Sequence, residues 1–126
     1  MPRHRILLVE DDHDVAELLG MCIGALVTDA EAVHAPNGLR ALELLEAGER
    51  FDLILCDVMM PGLDGARLVG ELAERGLLEG QRVALLTAVE RPRLAAVLAV
   101  PNVVAYFQKP VEPMSLAQQV MDLLAA

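Results

Sequence analysis

The sequence predicts an α/β domain, with one parallel sheet covered by helices on both faces. Three observations carry this. Short apolar runs alternate with longer amphipathic segments along the whole chain. The runs "ILLV" and "LILC" have no polar break, as expected of strands buried on both faces. Apolar residues make up 55% of the 126, yet the only aromatics are Phe51, Tyr106 and Phe107, which suits an aliphatic sheet under helices better than an aromatic-rich sandwich.

The elements follow in order. Arg5–Val9 reads as a strand ended by acids. Over Val15–Leu26 the residues Val15, Leu18, Leu19, Cys22, Ile23 and Leu26 recur at helical spacing, with Asp12 or Asp14 as cap and Gly20 and Gly24 as weak points. Ala30–Ala35 is a second strand. Pro36–Glu49 is a helix with Pro36 and Asn37 at its start and Gly48 at its end. Phe51–Cys56 is the third strand. Asp57–Gly65 reads as a loop around Pro61 and Gly62, and Asp64 caps a helix over Ala66–Leu78. Arg82–Ala88 is the fourth strand. Arg91–Ala99 is a short helix with Pro92 in its first turn, closed before Pro101. Asn102–Gln108 is the fifth strand and Pro113–Ala126 the last helix. These five β-α units predict one domain over residues 1–126. The last helix runs to the final residue, which predicts no second domain after it.

Composition removes several function classes. The formal net charge is −9, and no Lys/Arg cluster offers the basic surface that nucleic acid needs. No run of 18 apolar residues exists to span a membrane, and the start, "MPRHRILLVEDD", has too short an apolar run for a signal peptide. Cys22 and Cys56 sit inside apolar runs and read as small buried thiols rather than a disulfide. Together these point to a cytoplasmic domain.

In a parallel sheet of this kind, ligands bind beyond the carboxyl ends of the strands. Glu10, Asp11 and Asp12 follow the first strand, and Asp57 follows the third. Thr87 ends the fourth, and Lys109 with Pro110 follows the fifth. Each alone has an ordinary explanation: a solvated helix start, a turn residue, a strand threonine, a surface lysine. Such residues at the same end of four different strands form one constellation. Carboxylates converging on a point repel unless a cation lies between them, and oxygen ligands favour Mg²⁺ or Ca²⁺ over zinc. A lysine and a hydroxyl nearby suit a phosphoryl group, and the only nucleophile available to it is a carboxylate. Asp57 stands alone at the end of the central strand and is the best candidate.

The stretches "ILLVEDD", "LILCDVMMPGLDG", "LLTA" and "YFQKP" resemble the receiver domain of two-component response regulators, as found in the chemotaxis-type single-domain regulators. They cover the chain from end to end, with Thr87 thirty residues beyond Asp57 and Lys109 twenty-two beyond Thr87. The resemblance implies a flavodoxin-like sheet in the order 2-1-3-4-5. It implies Asp57 as phosphoacceptor, and Glu10, Asp11, Asp57 and the backbone carbonyl of Met59 around Mg²⁺. It puts Thr87, Ala88, Lys109 and Tyr106 at phosphate-binding and switch positions, with a cis bond before Pro110. The function implied is a switch, not an enzyme. A phosphohistidine on a sensor histidine kinase or phosphotransfer protein gives its phosphoryl group to Asp57. The face made of the fourth helix, fifth strand and fifth helix then changes toward an unknown protein target, with no direct nucleic-acid or membrane contact.

The chain also departs from the family pattern. "AVPNVVAYF" replaces the usual Ala-Gly-Ala before the fifth strand, and Val111 stands where Phe is common. Met59 and Val89 flank the acid site and neither can position a water, which predicts slow self-dephosphorylation. A Mg²⁺-dependent phosphatase with an aspartyl nucleophile is a second reading, weakened because Met59 stands where such enzymes carry an acid. A third is a pseudo-receiver that binds partners without phosphorylation, against which the intact acid-and-lysine set argues. A flavodoxin-like cofactor binder lacks a Gly-rich loop after the first strand. His4, His13 and His34 have no metal-ligand spacing and receive no role. A stand-alone regulator and a receiver cut from a hybrid kinase would look the same.

Overall fold

A computed structural model describes residues 4–59, 64–88 and 95–125. Strands and helices alternate: β1 (His4–Val9), α1 (His13–Leu26), β2 (Ala30–Ala35), α2 (Gly38–Glu46), β3 (Leu53–Asp57), α3 (Gly65–Glu74), β4 (Arg82–Thr87), α4 (Ala95–Leu98), β5 (Val103–Gln108) and α5 (Pro113–Ala125). The strands form one parallel five-stranded sheet in the order β2-β1-β3-β4-β5, as the resemblance implied.

The period-2 alternation of the strands divides the core into two layers. Leu7, Val9, Ile54, Cys56, Val83 and Leu85 face the α2–α3–α4 side, against Ala41, Leu45, Leu68, Leu72 and Val97. Ile6, Leu8, Leu53, Leu55, Ala84 and Leu86 face α1 and α5, against Leu19, Ile23, Leu116 and Val120. β3 is central and buried at every position, which is why its sequence shows no alternation. Cys22 and Cys56 are free and buried, and burial pushes the Cys56 thiol up, away from reactivity. Among the described residues no helix is long and apolar enough to cross a membrane.

Several boundaries differ from the sequence expectation for local reasons. α1 begins at His13 because Asp12, not Asp14, is the cap, accepting from the N–H groups of Asp14 and Val15. Asn37 caps α2 through the N–H of Arg40 at 2.8 Å, so Pro36 lies outside the helix. α3 ends at Glu74 rather than Leu78. Gly76 takes φ +71°, the chain reverses, and Leu78 folds back as a buried plug. β3 runs one residue further than its apolar stretch, because Asp57 still pairs with Leu86. The first part of the helix expected over Arg91–Ala99 lies outside the described residues, and α4 is described from Ala95.

The unusual "VPN" segment also has a structural explanation. The Asn102 side chain donates to the carbonyls of Leu78 at 2.7 Å and Gln81 at 2.9 Å. It ties the start of β5 to the turn before β4. Glu112 then caps α5 through the N–H groups of Met114 and Ser115.

Candidate functional site

The three acids after β1 do three different things. Glu10 is 3% exposed, and its Oε1 accepts the N–H of Asp12 at 3.1 Å. Its backbone N–H still donates to Ala35 O across the sheet at 3.1 Å. Asp11 is exposed, and Asp12 is consumed in capping α1. Of the three, only Glu10 and Asp11 face a shared site with Asp57. One carboxylate oxygen from each of these three residues falls within 4.8 Å of the others.

Asp57 ends the central strand at 2% exposure. Its Oδ1 accepts the Met59 N–H at 3.0 Å, and its Oδ2 accepts from Lys109 Nζ at 2.8 Å. Lys109 reaches this point because its own N–H is bonded to Thr87 O at 2.8 Å, just beyond the end of β5. The Lys109–Pro110 bond is cis, as expected. Lys109 Nζ also lies 3.5 Å from Glu10 Oε2, an ion-pair contact without hydrogen-bond geometry. Among the described residues, the buried Glu10 Oε2 therefore has no hydrogen-bond partner.

The remaining candidates lie around this centre. Thr87 is fully buried at the end of β4, one residue beyond the partner of Asp57, and Ala88 follows it, exposed. Tyr106 is half-buried on β5 opposite Leu85 and packs against the α2–α3–α4 core layer. The Met59 side chain is 61% exposed. Val89 lies outside the described residues.

Two residues that sequence reasoning passed over belong to the site's frame. His34 Nε2 donates to the backbone carbonyl of Glu10 at 2.7 Å. Gly65 donates its N–H to Val58 O at 3.0 Å and packs directly on the Asp57 backbone. A signal for Gly65 was present in the Asp64–Gly65 pair, but only as a helix start. His34 carried no signal, since its role depends on the register of β2 against β1.

Burial pushes the Glu10 carboxyl up to about 7, and the Asp57 charge adds to this. The Asp12 N–H and the Lys109 charge work the other way. For Lys109 burial works to lower its pKa, but the hydrogen bond and charge of Asp57 and the charge of Glu10 outweigh it, and the ammonium is held above its usual range. An orphaned buried carboxylate oxygen beside two further carboxylates fits a hard divalent cation such as Mg²⁺.

This sets a pH dependence. A carboxyl whose folded pKa is raised stabilises the metal-free protein below its ordinary pKa, and that contribution is lost as pH rises through about 7. A bound dication offsets the loss, because it favours the ionised form. Mg²⁺ is expected to raise the melting temperature more at about pH 8 than at about pH 5.5, and Glu10→Gln should flatten the difference. Equal Mg²⁺ shifts at both pH values would contradict the assignment of Glu10.

Comparison with known proteins is consistent throughout. The model of the response regulator receiver domain matches residues 6–121. An uncharacterized 14.6 kDa protein of Leptolyngbya boryana is 38% identical over 126 residues, covering 96% of this chain and 90% of that protein. The sensor histidine kinase TmoS of Ectopseudomonas mendocina is 31% identical over 121 residues, which is 96% of this chain but only 12% of the kinase. Among solved structures, the receiver domain of a signal transduction histidine kinase from Syntrophus aciditrophicus is 32% identical. It aligns at TM-score 0.81, over 97% of this chain and 90% of that one. The response regulator TrrA from Thermotoga maritima, solved in complex with Mg²⁺-BeF, is 28% identical at TM-score 0.78, over 95% of this chain and 98% of that one.

Proposed function

Because this chain belongs to the response regulator receiver domain family of two-component signalling, we propose that it is a phosphorylation switch whose phosphoacceptor is Asp57. The observation that carries the reading is a buried carboxylate at the end of the central strand, 2.8 Å from a lysine ammonium and grouped with Glu10 and Asp11. Glu10, Asp11, Asp57 and the Met59 backbone carbonyl would hold Mg²⁺. Bound there, Mg²⁺ offsets the negative charge of an incoming phosphoryl group.

The phosphodonor is a phosphohistidine on a sensor histidine kinase or a phosphotransfer protein. The relative TmoS, a sensor histidine kinase, contains a segment like this chain, which supports that pairing. A carboxylate oxygen of Asp57 attacks phosphorus, the bond to the donor's imidazole nitrogen breaks, and an aspartyl phosphate forms. Lys109, already at Asp57 Oδ2, moves with the phosphate oxygens and neutralises them. The phosphoryl group brings about −1.5 to −2 charges into a buried site. Thr87 and Ala88 turn toward it, Tyr106 moves inward, and the α4-β5-α5 face shifts between two packings of one fold. That face addresses a downstream protein. The domain acts in the cytoplasm, as one unit over residues 1–126, and performs no turnover beyond its own phosphorylation and dephosphorylation.

Intact mass after incubation with acetyl phosphate tests this reading. A gain of one phosphoryl group that requires Mg²⁺ is expected. A folded protein that gains nothing, and that also fails to bind beryllofluoride, is a pseudo-receiver. With Met59 exposed and apolar beside Asp57, no side chain at that position can hold an attacking water. The phosphorylated form is expected to decay over minutes to hours in Mg²⁺ buffer, and decay within seconds would contradict the role given to Met59.

A further inference from the structure

We propose that His34 is a positioning residue for the acid site, acting through the backbone carbonyl of Glu10; this rests on the reading of Glu10 as part of the Mg²⁺ site. The inference begins with the edge of the sheet. β1 and β2 pair in parallel with Leu8 opposite His34 and Val9 opposite Ala35. The Glu10 N–H continues the ladder to Ala35 O. A further step of a parallel ladder would give the Glu10 carbonyl a donor from residue 37. That donor does not arrive by this route. Pro36 follows β2 directly, and Asn37 leaves the sheet to cap α2.

The Glu10 carbonyl is met instead by a side chain, His34 Nε2 at 2.7 Å. A carbonyl only accepts, so the imidazole carries its proton on Nε2. Glu10 is thereby fixed at its N–H by Ala35, at its carbonyl by His34 and at Oε1 by Asp12. The polar atom of Glu10 left without a hydrogen bond among the described residues is Oε2, buried beside Lys109. Two of the three bonds that aim this oxygen come from β2. The imidazole is itself braced: the His13 ring, in the first turn of α1, lies 5.8 Å away at a tilt of 41°. Both rings line a groove of about 420 Å³ between α1 and β2.

Groups that orient a metal ligand typically change metal affinity by about tenfold or more when removed. The test is Mg²⁺ affinity by isothermal titration calorimetry, with the rate of phosphorylation by acetyl phosphate followed across Mg²⁺ concentration. His34→Phe keeps a flat aromatic ring on the same Cβ and loses the donor. His34→Gln carries an N–H donor the same number of bonds from Cα. The expected result is a Mg²⁺ dissociation constant raised about tenfold in His34→Phe and restored close to wild type in His34→Gln. The phosphorylation rate of His34→Phe should recover at saturating Mg²⁺, a split that a merely structural defect would not give. Wild-type affinity in His34→Phe overturns the inference, and so does equal weakening in both variants. A wild type that takes up no Mg²⁺ overturns the acid site itself, and it is seen before any variant is measured.

Discussion

Asp57→Asn is expected to fold and to gain no phosphoryl group from acetyl phosphate, with or without Mg²⁺. Asparagine is close to isosteric, so the end of β3 and the pairing with Leu86 should survive. The Oδ1 contact with the Met59 N–H can also persist, because an amide oxygen accepts a hydrogen bond as a carboxylate does. What is lost is the anionic nucleophile and the charged partner of Lys109. No other described carboxylate combines burial, contact with that ammonium and a place at the end of the central strand. Glu10 comes nearest, but its Oε2 lies 3.5 Å from Lys109, against 2.8 Å for Asp57 Oδ2. The loss should therefore be complete in intact mass, not partial. A phosphoryl gain retained by Asp57→Asn would move the acceptor to another residue.

Gly65→Ala should be the most damaging single methyl group at the site. A Cβ at this position would overlap the carbonyl oxygen of Asp57 and stand 2.8 Å from Val58 Cα. Both neighbours are backbone, and both belong to buried residues, so neither can swing aside as a side chain would. Relief requires α3 to slide away from the end of β3, which breaks the Gly65 N–H bond to Val58 O. Overpacking of this kind costs about 3 kcal/mol, and backbone clashes lie at the high end of the range. Any relaxation passes through the main chain of Asp57, so Mg²⁺ affinity and phosphorylation should fall together with stability. Chemical denaturation and the acetyl phosphate assay on the same preparation check both. A Gly65→Ala protein of wild-type stability and activity would contradict a tight approach of α3 to the end of β3.

Much of this was legible in the sequence because two different periods write themselves into residue order. β2 spans the same residues that its pattern predicted, and the five strands follow from their apolar runs. The candidate site was legible because Glu10, Asp11, Asp57, Thr87 and Lys109 each lie at or just beyond the carboxyl end of a strand, a position that the sheet brings together without further information. Helix ends were less legible. α3 stops at Glu74, just before the positive φ of Gly76, although the apolar Leu77 and Leu78 continue the helical pattern. The carboxylate of Asp57 hid the last rung of β3, since side-chain polarity says nothing about backbone pairing. Gly65 and His34 could not be read at all in their full roles. One depends on how closely α3 approaches β3, the other on which carbonyl loses its ladder partner when β2 ends.

β5 carries a consequence of a different kind. Among the described residues it is an edge strand, paired only with β4, and its sequence "VVAYFQ" has no charge and no proline, with Val104 44% exposed. Strands of that composition at an open edge invite another copy to add itself. Nothing on β5 itself opposes this, so the task falls to the net charge of −9 spread over the rest of the molecule. That protection is long-ranged and collective. It fades when salt screens it or when acid carries the protein toward its isoelectric point. The acidity of this chain is thus also its colloidal defence, and concentrated stocks will keep best in dilute salt at neutral or alkaline pH.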